Sequence, residues 1–239
     1  MSRFKSLLAS LLVLFAVAAA PAFAAELKEG RDYSSINPPA PTDAKGKIEV
    51  TEFFWYGCSH CFHLEPTLEK WRETQPANVA FRRMPAVFST KPDLQAQAFY
   101  AAELLGAQEK FTLAMFDAIH VKKQKISDEN VVVTIAEGAG IDGAEFRKAL
   151  NSFDVNMKVN RARNVTKNYG IDGVPAVVVN GKYRTSPAQA TGREGMVKVI
   201  DHLIAREASG AERAAYWQRA ARAYPDTRCQ PEIHRPYSF

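Results

Sequence analysis

The chain has 239 residues, and its 31 basic and 26 acidic side chains give a formal net charge of +5. The excess is mild and scattered, so it leaves no electrostatic footprint for nucleic acid, and none is expected as a partner. The length suits one large domain, or a small domain carrying an insertion.

The first thirty residues, MSRFKSLLASLLVLFAVAAAPAFAAELKEG, have the layout of a cleavable secretory signal. Arg3 and Lys5 form a positive head. Leu7 to Ala20 is apolar except for Ser10, and the small-x-small triplet Ala22-Phe23-Ala24 follows Pro21. The apolar run is short for a bilayer span, which argues against the alternative of a membrane anchor. No cysteine near the break offers a site for a lipid. Cleavage is expected after Ala24, which removes residues 1–24 and leaves 29 basic against 26 acidic residues, a net charge of +3. An exported chain meets an oxidising compartment, where thiols tend to end as disulfides.

Residues 26–46 are polar and proline-rich and read as an extended lead-in. Residues 47–55, KIEVTEFFW, are β-branched and aromatic, as in a strand of a buried sheet. A helix is expected from Ser59 to Thr74, with Cys61, Leu64, Leu68 and Trp71 as its apolar stripe and a kink at Pro66. Residues 78–84 read as the next strand, which completes a βαβ unit with a right-handed crossover. From 92 to 168 the pattern is helical, with helices near 92–105, 108–122, 127–138, 142–150 and 153–168. Residues 174–183, VPAVVVNGKY, hold a strand, an Asn-Gly turn and the start of another strand. A closing helix over 193–207 turns Met196, Val199, Ile200 and Leu203 inward. The fold class is therefore α/β. Its first sheet segment spans 25–91, its helical block 92–168 and its second sheet segment 169–207, and the C-terminal extension over 208–239 contains a helix near 211–223.

The chemistry concentrates in FFWYGCSHCFHLEP, residues 53–66. Cys58 and Cys61 are separated by two residues, and the only other cysteine is Cys229. A closed zinc site needs four N or S ligands, usually in two pairs, and no second pair exists. A bridge closing two intervening residues removes little unfolded-state entropy, so a purely structural staple contributes little. A redox centre accounts for more. Cys58 follows a strand and opens a helix, where free N–H groups and the positive end of the helix dipole favour a thiolate. His60, between the cysteines, can add a donor or a positive charge. Cys61 lies one turn in, on the core-facing stripe. Cys58 is thus the expected exposed attacker and Cys61 the buried resolver. Stabilising the thiolate stabilises the reduced protein and makes the disulfide a stronger oxidant.

Strand alternation places Glu52 on one face with Ile48, Val50 and Phe54. A carboxyl buried there has a raised pKa and can trade protons with Cys61, or it can pair with Arg82 or Arg83 on the neighbouring strand; both readings stay open. Pro175 opens a strand, where its missing N–H is tolerated. From local sequence the Val174-Pro175 bond reads as trans. Among the aromatics, Trp55, Tyr56, Phe62 and Phe88 read mostly as core, with Tyr56 and Phe62 the candidates for the rim of a shallow apolar groove. His63, His120, His202 and His234 show no ligand spacing.

Taken together, Cys58-Ser59-His60-Cys61 after EFFWYG, the helical block and the later GVP resemble the thioredoxin superfamily, and within it the periplasmic DsbA-type thiol:disulfide oxidoreductases. The resemblance covers roughly residues 26–207. It implies a thioredoxin-like fold with an inserted helical domain and a periplasmic location. It implies a cis Val174-Pro175 bond beside Cys58, with the Val174 backbone pairing with a bound substrate strand. It also implies that Glu52 is the family's buried acid, with Arg83 its partner. The activity implied is donation of the Cys58–Cys61 disulfide to newly exported, unfolded proteins through a mixed disulfide at Cys58, with no cofactor beyond that disulfide. A DsbB-type membrane oxidase would restore it. Two features depart from the pattern. Ser59 stands where the best-known members have proline, which alters the turn and the potential. Residues 209–239 extend past the expected end of the fold and carry Cys229, read as an incidental thiol or as the link of a minor dimer of an otherwise monomeric protein. The rival readings are an exported reductase or isomerase on the same scaffold, for which the lead-in before Lys47 is too short to be a dimerisation domain, and a non-enzymatic holdase.

Overall fold

The computed structural model describes residues 26–91 and 93–209, together with Tyr216, Gln218, Arg219 and Arg222. The expected signal segment and Cys229 lie outside the described residues. Of the expected helix 211–223 only those four positions are described, and they are helical.

Five strands form one mixed sheet in the order β1-β5-β4-β2-β3. The central strand β2, Ile48–Phe54, runs parallel to β3, Val79–Pro85, and antiparallel to β4, Ala176–Val179. β4 pairs with β5, Tyr183–Thr185, across a turn in which Asn180 and Gly181 have φ of 52° and 65°. Two successive positive φ values are what a tight hairpin needs, and Asn-Gly supplies them at low cost. β1 is only Ser34–Ser35, antiparallel to β5. The lead-in expected to be merely extended thus closes one edge of the sheet.

Every residue of β2 is buried, because both faces of the sheet are covered. On one face Ile48, Val50, Val177 and Val179 pack against helix α1, Ser59–Glu73, and the closing helix, Arg193–Glu207. Leu64, Leu68 and Trp71 of α1 are fully buried there, each burial worth roughly 1.5–3 kcal/mol. Met196, Val199, Ile200 and Leu203 meet them from the closing helix. Pro66 withdraws one donor from the α1 ladder, and the helix nevertheless continues to Glu73.

The other face carries Phe53, Met84, Ala176 and Val178 and is covered by helices from between β3 and β4. These are α2, Leu94–Leu104; α3, Gln108–Phe116; α4, Glu129–Gly138; α5, Gly143–Leu150; and α6, Phe153–Asn168, so the closing helix is α7. Asp93, Asp128, Asp142 and Ser152 cap α2, α4, α5 and α6 by accepting otherwise unpaired N–H groups. A π-helical turn, Asp117–Val121, continues α3. Phe54 departs from the expected alternation. It lies at the end of β2 and packs against Phe99 and Phe116 of the helical segment, not with Ile48 and Val50.

Candidate active site

The loop Trp55–Gly57 carries the chain from the C-terminal end of β2 into α1, and Cys58 is the N-cap of that helix, in extended conformation. The Cys58 sulfur accepts the backbone N–H of Cys61 at 3.4 Å, which places it at the positive end of the helix dipole. The same sulfur lies 3.5 Å from the Val174 carbonyl, to which its S–H donates. Both thiols are free in this structure. Cys58 is half-buried and Cys61 has no exposure. Burial pushes the Cys61 thiol well above the ordinary thiol range; a hydrogen bond to the Trp55 backbone opposes this, and the charges of Cys58 and Glu52 add to it.

Glu52 faces Arg83 directly across the β2–β3 register, with Arg83 Nε 3.3 Å from Glu52 Oε2 and both side chains 1% exposed. Burial, reinforced by the charge of Glu65 and opposed by Arg83, pushes Glu52 up to about 8. Neither of its oxygens receives a well-aligned hydrogen bond, an arrangement that suits a neutral carboxyl. The Arg83 guanidinium also binds Glu65, Glu69 at 2.5 Å and Glu109 at 2.8 Å. Burial alone works against the Arg83 charge, but Glu52, Glu65 and Glu109, with the hydrogen bond to Glu69, hold its pKa above the usual arginine value. Glu65 is pushed up to about 7, chiefly by burial. Arg82, the other partner considered, binds Asp43 and lies 3.8 Å from Glu49. Arg72, Phe81, Arg83 and Glu109 are among the residues lining a cavity of about 430 Å³ at the far end of this network.

The Val174-Pro175 bond is cis. Val174 is half-buried and Pro175 buried, at the start of β4 beside the end of β2. His60 and Ser59 are exposed on the first turn of α1. Cys58, His60, Val174 and Pro175 thus lie at one end of the central strands β2 and β4.

Two expectations fail. Tyr56 is not a rim residue. It is 1% exposed, its hydroxyl lies 3.1 Å from the Thr112 hydroxyl, and its ring meets Phe54, Phe111 and Phe116 edge-on. The helical segment, remote in sequence, covers it. The large apolar side chains left open near the motif are Trp55, 46% exposed, and Phe88, 58% exposed, both expected mostly as core. His120, set aside as a lone histidine, stacks on Phe62 with centroids 4.9 Å apart and lies 2.7 Å from the Tyr56 carbonyl. No local signal in the sequence distinguishes it from a histidine at a solvated helix end. Among the described residues no three His, Cys, Asp or Glu side chains are grouped to hold a metal, and no helix is long and apolar enough to cross a membrane.

Comparison with known proteins gives one answer. Residues 93–203 match the family described as DSBA-like thioredoxin domain. The thiol:disulfide interchange protein DsbA of Burkholderia cepacia is 41% identical over 203 residues, covering 84% of this chain and 96% of that one. That of Pseudomonas aeruginosa is 35% identical over 207 residues, covering 87% and 98%. The crystal structure of Pseudomonas aeruginosa DsbA superposes with a TM-score of 0.72 at 37% identity, covering 79% of this chain and 96% of that one. The oxidoreductase NmDsbA1 of Neisseria meningitidis gives 0.66 at 27% identity, covering 81% and 97%. The chain thus matches these relatives along nearly their whole length. The chain belongs to the DsbA family of thiol:disulfide oxidoreductases.

Proposed function

We propose that the protein is an exported, periplasmic dithiol oxidase that passes the Cys58–Cys61 disulfide to newly translocated proteins. The observation that carries this reading is the asymmetry of the pair: Cys58 is half-buried at the helix N-cap, while Cys61 is closed off from solvent, with the protonatable Glu52 near enough for its charge to act on the thiol. A substrate thiolate attacks Cys58 Sγ of the oxidised protein. The S–S bond breaks, Cys61 leaves, and it takes a proton supplied by Glu52. The resulting mixed disulfide joins substrate to Cys58. The substrate's second thiolate then attacks the substrate sulfur of that bond, and Cys58 leaves as a thiolate held by the Cys61 N–H and the helix dipole. Two electrons pass to the protein and one substrate disulfide forms; one proton ends on Cys61 by way of Glu52, and the other is released to solvent while Cys58 remains a thiolate.

In this reading His60 assists the departing thiolate, and the Val174 backbone beside the buried Pro175 pairs with the extended substrate. The half-buried Val174 carbonyl, 3.5 Å from Cys58 Sγ, supports that placement. Substrates are unfolded exported chains, and a DsbB-type membrane oxidase removes the electrons afterwards. The thioredoxin-like part comprises 25–91 and 169–207, with 92–168 as its helical insertion and 208–239 as an extension. The protein works as a monomer, with Cys229 able to link a minor dimer.

The test is to mix the oxidised protein with a reduced, unfolded substrate and follow thiols and adducts. Given an oxidised substrate, Cys61→Ala should trap it on Cys58, because Cys58 opens the substrate disulfide and no resolving thiol follows, and Cys58→Ala should abolish exchange. If disulfides are instead removed from an oxidised substrate faster than they are made in a reduced one, the protein is a reductase or isomerase.

A further inference from the structure

We propose that His120 is a positioning residue for the redox pair: it grips the chain on both sides of Cys58 and so lets the helical segment set the geometry in which that sulfur is held. The inference rests on Cys58 being the sulfur that substrates attack.

Three observations carry it. The first is the contact on the N-terminal side of Cys58. His120 Nε2 lies 2.7 Å from the Tyr56 carbonyl. A carbonyl only accepts, so the proton sits on Nε2 and the imidazole donates. Tyr56 cannot swing away to avoid the contact, since its ring is locked in the core and its hydroxyl reaches Thr112. The peptide that leads into Gly57 and Cys58 is therefore held by a donor from outside its own loop.

The second is the contact on the C-terminal side. The His120 ring stacks on Phe62, with centroids 4.9 Å apart and planes 13° apart. Phe62 follows Cys61, and its N–H donates to the Cys58 carbonyl at 3.1 Å, in the first turn of α1. The cap bond from Cys61 N–H to Cys58 Sγ lies between these two grips.

The third is the backbone that delivers the ring. The buried stripe of α3 runs Phe111, Met115 and Ala118, and regular α-helical spacing would bring Lys122 inward next. Instead the chain widens into a π-helical turn. The N–H of Lys122 bonds to the Asp117 carbonyl at 3.0 Å, and the Lys122 side chain stays 68% exposed. Such a turn is uncommon and concentrates at functional sites. Here it places an imidazole against the active-site loop and keeps a lysine out.

Chemically, His120 takes no part in electron transfer and forms no bond to substrate. It holds the Cys58 cap rigid, so that the cap bond and the helix dipole act on the sulfur from a fixed distance. When the mixed disulfide breaks, Cys58 leaves as a thiolate into a site already arranged for it.

The test uses the purified protein in its reduced form. His120→Leu removes the donor at similar bulk, and His120→Gln restores an N–H of similar reach. Cys58 alkylation is measured against pH alongside the ultraviolet absorbance of the thiolate, with thermal unfolding as a control for fold. His120→Leu is expected to slow alkylation about tenfold at mildly acidic pH, equivalent to one pH unit in the profile. His120→Gln should return to within about twofold, on the same scale. An unshifted profile for His120→Leu overturns the proposal, and so does a His120→Gln protein as impaired as His120→Leu. If His120→Leu fails to fold, the unmodified protein decides: the His120 ring resonances should differ between the disulfide and dithiol states, and identical resonances overturn the proposal. Cys58→Ser separates the two levels of argument. If it abolishes the thiolate signal, the readout belongs to Cys58 and the His120 result stands by itself. If the signal persists, the assignment of the attacked sulfur is wrong, and the proposal falls with it.

Discussion

Glu52→Gln should stabilise the reduced protein, and the gain should grow with pH. The buried carboxyl is pushed up to about 8 from an ordinary value of 4.5. Between those values the folded protein keeps a proton that the unfolded chain has released. Stability therefore falls as pH rises through that window, by up to about 1.4 kcal/mol per pH unit. From pH 5 to pH 7 the accumulated loss is on the order of 3 kcal/mol. Glutamine has nearly the same shape and never ionises, so it avoids the loss. Arg83 is not left unpaired by the change, because Glu65, Glu69 and Glu109 still surround its guanidinium. The assay is urea unfolding of the reduced protein and of Glu52→Gln at several pH values between 5 and 8. The two curves should converge at the acid end and separate in favour of Glu52→Gln toward pH 8. A difference that stays constant or shrinks across the range would refute the assignment of a neutral carboxyl at this position; Glu65, itself pushed up to about 7, weakens both proteins alike.

Cys61→Ala should accumulate a reducible covalent adduct with a disulfide-bearing substrate, visible on a non-reducing gel, whereas Cys58→Ala should give none. Replacing Trp55 and Phe88 together by Ala should weaken exchange with unfolded proteins several-fold while leaving exchange with glutathione and the unfolding midpoint nearly unchanged, because both side chains are largely exposed. Tyr216→Phe should cost about 1 kcal/mol in urea unfolding, since its hydroxyl donates to the buried Asp201, which also accepts from Trp71 Nε1 at 2.7 Å. Leu68→Ala, at a fully buried position of α1, should cost about 2–5 kcal/mol in the same assay.

Much of this molecule can be read from its sequence, for identifiable reasons. Every residue of the run IEVTEFF is buried because the sheet is covered on both faces, and Glu52, with no exposure at all, is a charged side chain within it. Its partner could be narrowed to Arg82 or Arg83, and the parallel register selects Arg83. The helices of the central block announce themselves through Asp and Ser caps and glycine breaks. The Asn-Gly turn fixes the β4–β5 hairpin. What stayed hidden depends on contacts between distant segments. β1 is two residues long, too short for any period to show. Tyr56 and Trp55 are adjacent aromatics, and only the placement of α3 decides which is buried. The cis form of Val174-Pro175 ran against the local preference, and only family resemblance pointed to it. His120 reaches the site through a widened turn that local propensity does not encode.

The measurement that bears most directly on the account is the equilibrium of Cys58 and Cys61 with glutathione buffers, made on protein with Cys229 replaced by Ser. A dithiol oxidase should be half-oxidised at roughly −120 to −150 mV, near the potential of DsbA itself. Half-oxidation at roughly −250 mV or below would make the protein a reductant, and the direction of electron flow proposed for it would be wrong.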